Sequence, residues 1–379
     1  MSQISCNKPV LMLLVLLTAA SCCKKGKETI AEEKSVIVLG TPSITDTKAA
    51  IDSLGDLKQS GLEIGVYGYK THSVDQTTNI YRLFNNTPVA YNANENIWSY
   101  NPTRYWDSNP VVTYQFFAYW PHMASSDAGD GSPWVDANDV NNLSSAEDMR
   151  VTLHNIPNWQ DVANNNTADF LTSVKRGKYR TNVQEEEVPF YSGTVNFDFN
   201  HILSKLIIKG YYVGDQNNQV KVHNITISGN GILSANGTST HESTIASESF
   251  TDVSKATAQQ NVEQELYDNA QGCLIEQEAF RENDNDDQYI PTPICEWLLV
   301  PTNGWSGLTL SVTYAIGSAQ PQTSEITGVD LGSGQNNQMA SGNSYILNLK
   351  FNTEGGVELK TMYISKWVDV NVPRDIYNW

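Results

Sequence analysis

The side chains best suited to acid–base or metal chemistry near neutral pH are six histidines: His72, His122, His154, His201, His223 and His241. None sits in the His-Glu-x-x-His or His-x-His spacing that aims two imidazoles at one metal ion. His201 stands out because it ends a clean alternating run in NFDFNHILSKL, and that position reads as a structural histidine at a strand end. The acidic run Glu282 to Asp287 gathers oxygen ligands as a calcium loop would. It lacks the glycine and the closing bidentate glutamate of a helix-loop-helix site, so it reads as a solvated loop. No Gly-x-Ser-x-Gly elbow and no phosphate-cradling glycine loop occurs. The basic stretch Lys175 to Arg180 is balanced by Glu185, Glu186 and Glu187 and reads as a solvated loop too. These residues describe a protein that is not an enzyme and that needs no cofactor or metal.

Cysteine is the remaining reactive type. Of five, Cys6 lies ahead of an apolar run, Cys22 and Cys23 follow it, and Cys273 and Cys295 stand alone far downstream. The apolar run, Pro9 to Ala20, would extend about 18 Å as a helix, too short for a hydrocarbon core of roughly 30 Å. It has the length of a signal-peptide core, with Lys8 before it and small residues after it. Ala19-Ala20-Ser21-Cys22 resembles the bacterial lipobox, with Ala in place of the usual Leu, and makes Cys22 the lipidation site. Residues 1–21 are then a lipoprotein signal peptide, and the membrane is reached through a lipid anchor only. Cys273 and Cys295 would mature in an oxidising compartment, either as a disulfide or as two free thiols.

The elements that must position these residues are strands. The chain has 379 residues, 40% hydrophobic and only 17% charged, with 18 Tyr and 9 Trp, a balance that favours turn-rich all-β structure. Its formal net charge of −18 opposes a phosphate backbone and argues against nucleic acid as a partner. Strand-length runs occur at Val36–Leu39, Leu62–Tyr69, Asn96–Tyr100, Val111–Trp120 and Met149–Leu153. More follow at Leu206–Lys209, Val220–Ser228, Glu296–Val300, Leu308–Ile316 and Tyr345–Phe351. Val195, Phe197 and Phe199 alternate with polar residues. In Val111–Trp120, Tyr114, Phe116 and Ala118 are set against Gln115, Phe117 and Tyr119. The segments 41–53 and 125–139 read as linker and loop, and residues 256–271 read as a short helix or a loop. A charged stretch ending near residue 193 suggests a boundary between residues 49–193 and 194–379.

Several segments, taken in order, resemble the fimbrillin-like family, the lipoprotein-derived pilins (type V pilus subunits) of Bacteroidetes. They are Thr47-Lys48-Ala49 after an early strand, Val66-Tyr67-Gly68-Tyr69, Trp98 to Pro102, Arg104-Tyr105-Trp106 and Tyr114 to Pro121. Asp169-Phe170-Leu171 and Phe197 to Leu206 follow, then Leu298 to Pro301, Gly342 to Tyr345 and Ile364 to Trp367. The resemblance implies two transthyretin-like β-sandwich domains in tandem and a structural pilin of a surface pilus that contributes to cell adhesion. It implies export as an outer-membrane lipoprotein, then cutting by a trypsin-like protease between Lys48 and Ala49, where Arg is the better-known residue. Residues 22–48 would be a tether and removable first strand, and a neighbouring pilin subunit's C-terminal strand would fill the groove left behind. Removal of Val36 to Leu39 takes four apolar side chains from the fold, about 6–12 kcal/mol of burial that the donor must replace. The C-terminus is built for length: Met362, Ile364, Val368, Val370 and Val372 form a stripe. Residues 362–372 would span about 36 Å extended, against about 17–20 Å for a common strand. Val368, Val370, Val372, Ile376, Tyr377 and Trp379 are the donor candidates, the aromatic end suiting a neighbour's pocket. The alternatives are a non-polymerising surface adhesin or lipoprotein that binds a host or bacterial glycan or protein, and a tip or anchor subunit.

Overall fold

The computed structural model describes residues 35–44, 57–58, 61–74, 77–107, 112–163, 169–177, 194–215, 217–234, 236–244, 247–251, 262–275, 280–281, 290–302, 305–331, 339–352 and 356–366. Cys22, Lys48, Ala49, the run 282–287 and the donor candidates from Val368 to Trp379 lie outside them.

The described chain is all-β, with helical structure limited to short turns such as Val140–Asn142 and Ala146–Asp148. Its centre is a seven-stranded sheet around Val112–Trp120, which pairs antiparallel with Ile64–Val74 on one side and Leu171–Gly177 on the other. Tyr114, Phe116, Ala118 and Trp120 enter one apolar core, while Phe117 and Tyr119 enter another on the opposite face. The alternation expected for this strand is therefore an alternation between two cores, not between core and solvent. A strand buried on both faces reads as a continuous apolar run, and VVTYQFFAYW nearly is one.

The second of these cores is covered by a four-stranded sheet of Trp134–Ala137, Arg150–Pro157, Thr238–Thr244 and Glu248–Thr251. A third core lies between a six-stranded sheet, centred on Ser204–Val213, and a four-stranded sheet of Val262–Leu274, Val220–Gly229, Leu308–Ile316 and Gln322–Val329. Strands from both sides of residue 193 share sheets. Asp198–His201 pairs with Leu171–Gly177, and Trp159–Asp161 pairs with Thr292–Leu299.

Several local expectations are corrected. Val262–Leu274 is a strand, not a helix or loop, because Gln264 and Leu266 face inward and its backbone pairs with Val220–Gly229. Helical composition yields here to tertiary pairing. Within the expected loop 125–139, Trp134–Ala137 forms a strand around fully buried Val135, and within the expected linker 41–53, Ser43–Ile44 pairs with Asp198–His201. Lys175 belongs to the strand Leu171–Gly177 and not to a loop. Thr77–Asn92, a 16-residue strand, lies where no strand was expected; its many polar residues hide it. At the C-terminal end, Val357–Lys366 is an edge strand, and Tyr363 and Ile364 are both exposed, so the stripe does not face a core at Ile364.

Candidate functional site

The core on the inner face of the central sheet is closed by Ser35–Ile44 and not by a full sheet. Ile37 and Leu39 point inward, 0% and 4% exposed, whereas Val36 and Val38 point outward at 40% and 50%. Of the four apolar side chains Val36–Leu39, only two leave the core if this segment is withdrawn, with Pro42 as a further buried residue. Their burial is worth about 3–6 kcal/mol, half the expectation from sequence.

Both sides of the segment are gripped. On one side, Ile37 N donates to Arg104 O at 2.9 Å, Trp106 N donates to Ser35 O at 2.8 Å, and Val36 bridges Tyr105 in antiparallel register. The Tyr100 hydroxyl donates to Ile37 O at 2.6 Å, and Arg104 Nε donates to Leu83 O at 2.7 Å, which anchors the gripping loop. On the other side, Val38 and Leu39 run parallel to Thr194 and Val195, and Ser43 and Ile44 run parallel to Asp198 and Phe199. Gly40 N donates to Val195 O at 2.9 Å and Ser43 N to Phe197 O at 2.8 Å. The Asp198 carboxylate accepts from both the Ser43 hydroxyl and the Lys175 ammonium, and these bonds hold it below the usual carboxylate range. Beneath lie Trp98, Trp106, Val195, Phe197 and Phe199. A shallow groove of about 360 Å³ runs beside the segment, between Val36–Thr41 and Asn96–Thr103.

The motif residues thus acquire physical roles. Trp98, Tyr100, Arg104, Tyr105, Trp106, Phe197, Asp198 and Phe199 are dispersed in sequence, and all of them meet the segment 35–44 or the core it closes. Gly68, in Tyr67-Gly68-Tyr69, has no room for a side chain: a Cβ would lie 2.5 Å from Phe84 and 3.1 Å from Phe116. Asp169 and His201 meet as a fully buried pair, Oδ2 to Nδ1 at 2.8 Å, where Leu171 registers with His201. His201 is therefore structural, a latch between two sheet neighbours.

The other histidines do not converge. His154 stacks on Trp134 with ring centroids 3.9 Å apart, His122 lies 3.8 Å from Glu63, and His241 is buried against Phe250. No group of three or more His, Cys, Asp or Glu among the described residues is arranged to hold a metal ion. Cys273 and Cys295 are not joined in a disulfide, and both pack against the third core. What sequence reasoning missed is the part played by Ser43: its short polar stretch carries no strand signal, and only the partner Asp198 gives it one.

The profile of the family described as fimbrillin-like matches residues 47–367. The fimbrium subunit Fim1C of Phocaeicola vulgatus is 24% identical over 207 residues, which cover 52% of this chain and 50% of that protein. The matched region thus spans about half the length of this curated relative. A crystal structure of a fimbrial protein from Bacteroides vulgatus superposes with a TM-score of 0.56 at 17% identity, over 88% of this chain and 100% of that one. With a profile running from just beyond the first strand to the end of the last, and the fold shared with a crystallised fimbrial protein, this chain belongs to the fimbrillin-like family.

Proposed function

We propose that this chain is a structural pilin in which residues 35–44 are a removable plug, and that assembly consists of replacing the plug with a strand from a neighbouring subunit. The observation that carries the reading is the closure of an aromatic core by one short segment, with Ile37 and Leu39 as its only fully inserted apolar side chains apart from Pro42. In this reading Cys22 is acylated at the outer membrane and a trypsin-like protease cuts between Lys48 and Ala49. Residues 49–193 and 194–379 then act as the two parts of the mature subunit in an extracellular fimbrium. The incoming donor is the C-terminal segment carrying Val368, Val370, Val372, Ile376, Tyr377 and Trp379, which follows the edge strand Val357–Lys366 in sequence.

The energetics state what the donor must do. Two inserted side chains at about 1.5–3 kcal/mol each do not by themselves offset an association cost of about 4–15 kcal/mol. The donor must also remake the backbone bonds to Arg104, Val195 and Phe197, each worth about 0.5–1.5 kcal/mol, and add contacts that the plug lacks. A segment with three valines and an aromatic end has the apolar content for that.

N-terminal sequencing of the protein recovered from the cell surface tests the reading. A start at Ala49 in the polymer, and an uncut monomer from Lys48→Gln, is the expected result. A polymer whose subunits still carry an acylated Cys22 and residues 35–44 would overturn plug replacement. It would favour an adhesin or anchor subunit instead.

A further inference from the structure

We propose that Cys273 and Cys295 are a disulfide-forming pair that, on oxidation, staples the two sheets of the third core beside an acidic, aromatic-walled cleft that Cys295 lines. The proposal rests on the export part of the reading above, since a persistent disulfide needs an oxidising compartment.

The two cysteines come from different sheets. Cys273 is near the end of Val262–Leu274, in the four-stranded sheet, and Cys295 lies in Thr292–Leu299, in the six-stranded sheet. Each sits at an irregularity of its ladder. Val222 pairs with Cys273 and Asn224 with Asp268, so residues 269–272 bulge out of register, and Gly272 turns the chain at φ 75°. A Cβ at Gly272 would press on His223 and Lys221, so glycine is required on steric grounds as well. Opposite, Ile208 pairs with Cys295 and Lys209 with Pro293, leaving Ile294 as the extra residue. Bulges re-aim side chains, and both cysteines pack against the same core from their two sheets. Cys273 Sγ reaches to 3.8 Å from the carbonyl oxygen of Pro293, two residues before Cys295.

The chemistry follows from the surroundings. Burial first, then Asp161 and Cys273, push the Cys295 thiol upward, so it is the later of the two to ionise. Cys273 is the first attacker. Its thiolate attacks one sulfur of a disulfide oxidant, releasing that oxidant's first thiolate and leaving a mixed disulfide. Cys295 then loses its proton to the released thiolate and attacks Cys273 Sγ, expelling the oxidant's second half as a thiolate, which takes up from solvent the proton Cys273 gave up on ionising. The cysteines lose two electrons and two protons, and the oxidant becomes two thiols. The cleft, about 640 Å³ and lined by Asp161, Tyr267, Trp297 and Cys295 itself, opens the Cys295 side of the pair to solvent.

The test uses the full chain purified reduced, treated with oxidised glutathione, and mapped by mass spectrometry under non-reducing digestion. The expected result is a peptide joining Cys273 to Cys295, loss of both titratable thiols in denaturant, and a rise in melting temperature of about 5–10 °C that dithiothreitol reverses. Cys273→Ser and Cys295→Ala should fold and show no such rise. Two thiols still titratable after oxidation, glutathione adducts that never resolve, or only intermolecular dimers would overturn the pair. If the link forms in vitro but protein recovered from cells is fully reduced, the pairing geometry stands. In that case the claim that the pair oxidises in the cell fails, together with the export reading on which it rests.

Discussion

Asp169 and His201 are fully buried and face each other at 2.8 Å, so each offsets part of the other's desolvation in apolar surroundings. Removing one partner of such a pair typically costs about 3–5 kcal/mol. Asp169→Asn should lower stability by that order in urea titrations, without changing the far-ultraviolet signature of an all-β chain. His241 makes a second residue-scale prediction. Burial alone drops its pKa from 6.5 to about 3, so between those values the unfolded chain binds a proton that the folded chain refuses. Stability from this group is therefore intact above about pH 6.5 and is lost as pH falls toward 3, at about 1.4 kcal/mol per unit. His241→Phe should flatten that acid limb when urea midpoints are compared from neutral pH to about pH 4. Gly68→Ala should cost about 1–3 kcal/mol, because the added methyl meets the Phe84 ring in a filled core.

At the scale of the element, the first strand divides cleanly into inward and outward residues. Ile37→Ala or Leu39→Ala in the full precursor should each cost about 2–5 kcal/mol, whereas Val38→Ala should stay within about 0.5 kcal/mol, all read by thermal or urea melts. Equal effects at all three positions would mean that the segment is not seated as described. Its neighbours show how legible elements were. Leu308–Ile316 was readable in full because alternation and turns agree over nine residues. Thr77–Asn92 was not, because most of its residues are exposed or half-exposed, which erases the period-two signal. Val262–Leu274 was misread for a related reason: a polar edge strand has the composition of a surface helix, and only its partner distinguishes the two.

At the scale of the whole molecule, a net charge of −18 per chain opposes the approach of two subunits. If strand replacement builds the polymer, assembly of subunits cut after Lys48 should speed up as ionic strength rises toward the screened regime, measured as laddering on unheated gels. Deleting Asp369–Trp379 should leave a chain that folds but, once cut after Lys48, forms no ladder. Ladders of normal length from that variant would remove the C-terminal segment from the assembly step.

What the sequence determined by itself was the class of structure and the roster of important residues. Period-two alternation, aromatic content and ordered short motifs are local properties, and local properties survive in a one-dimensional reading. It also identified Ile37, Leu39, Tyr100, Trp106, Phe197 and His201 without saying what any of them touches. Only the tertiary structure decided that Ser35–Ile44 lies between Arg104–Trp106 and Thr194–Phe199, that just two of four expected side chains are inserted, and that strands from both sides of residue 193 share sheets. The reason is physical. A strand's sequence encodes which of its faces is apolar, but its edges are backbone, nearly the same for every residue. Which edges meet is settled by packing over the whole chain.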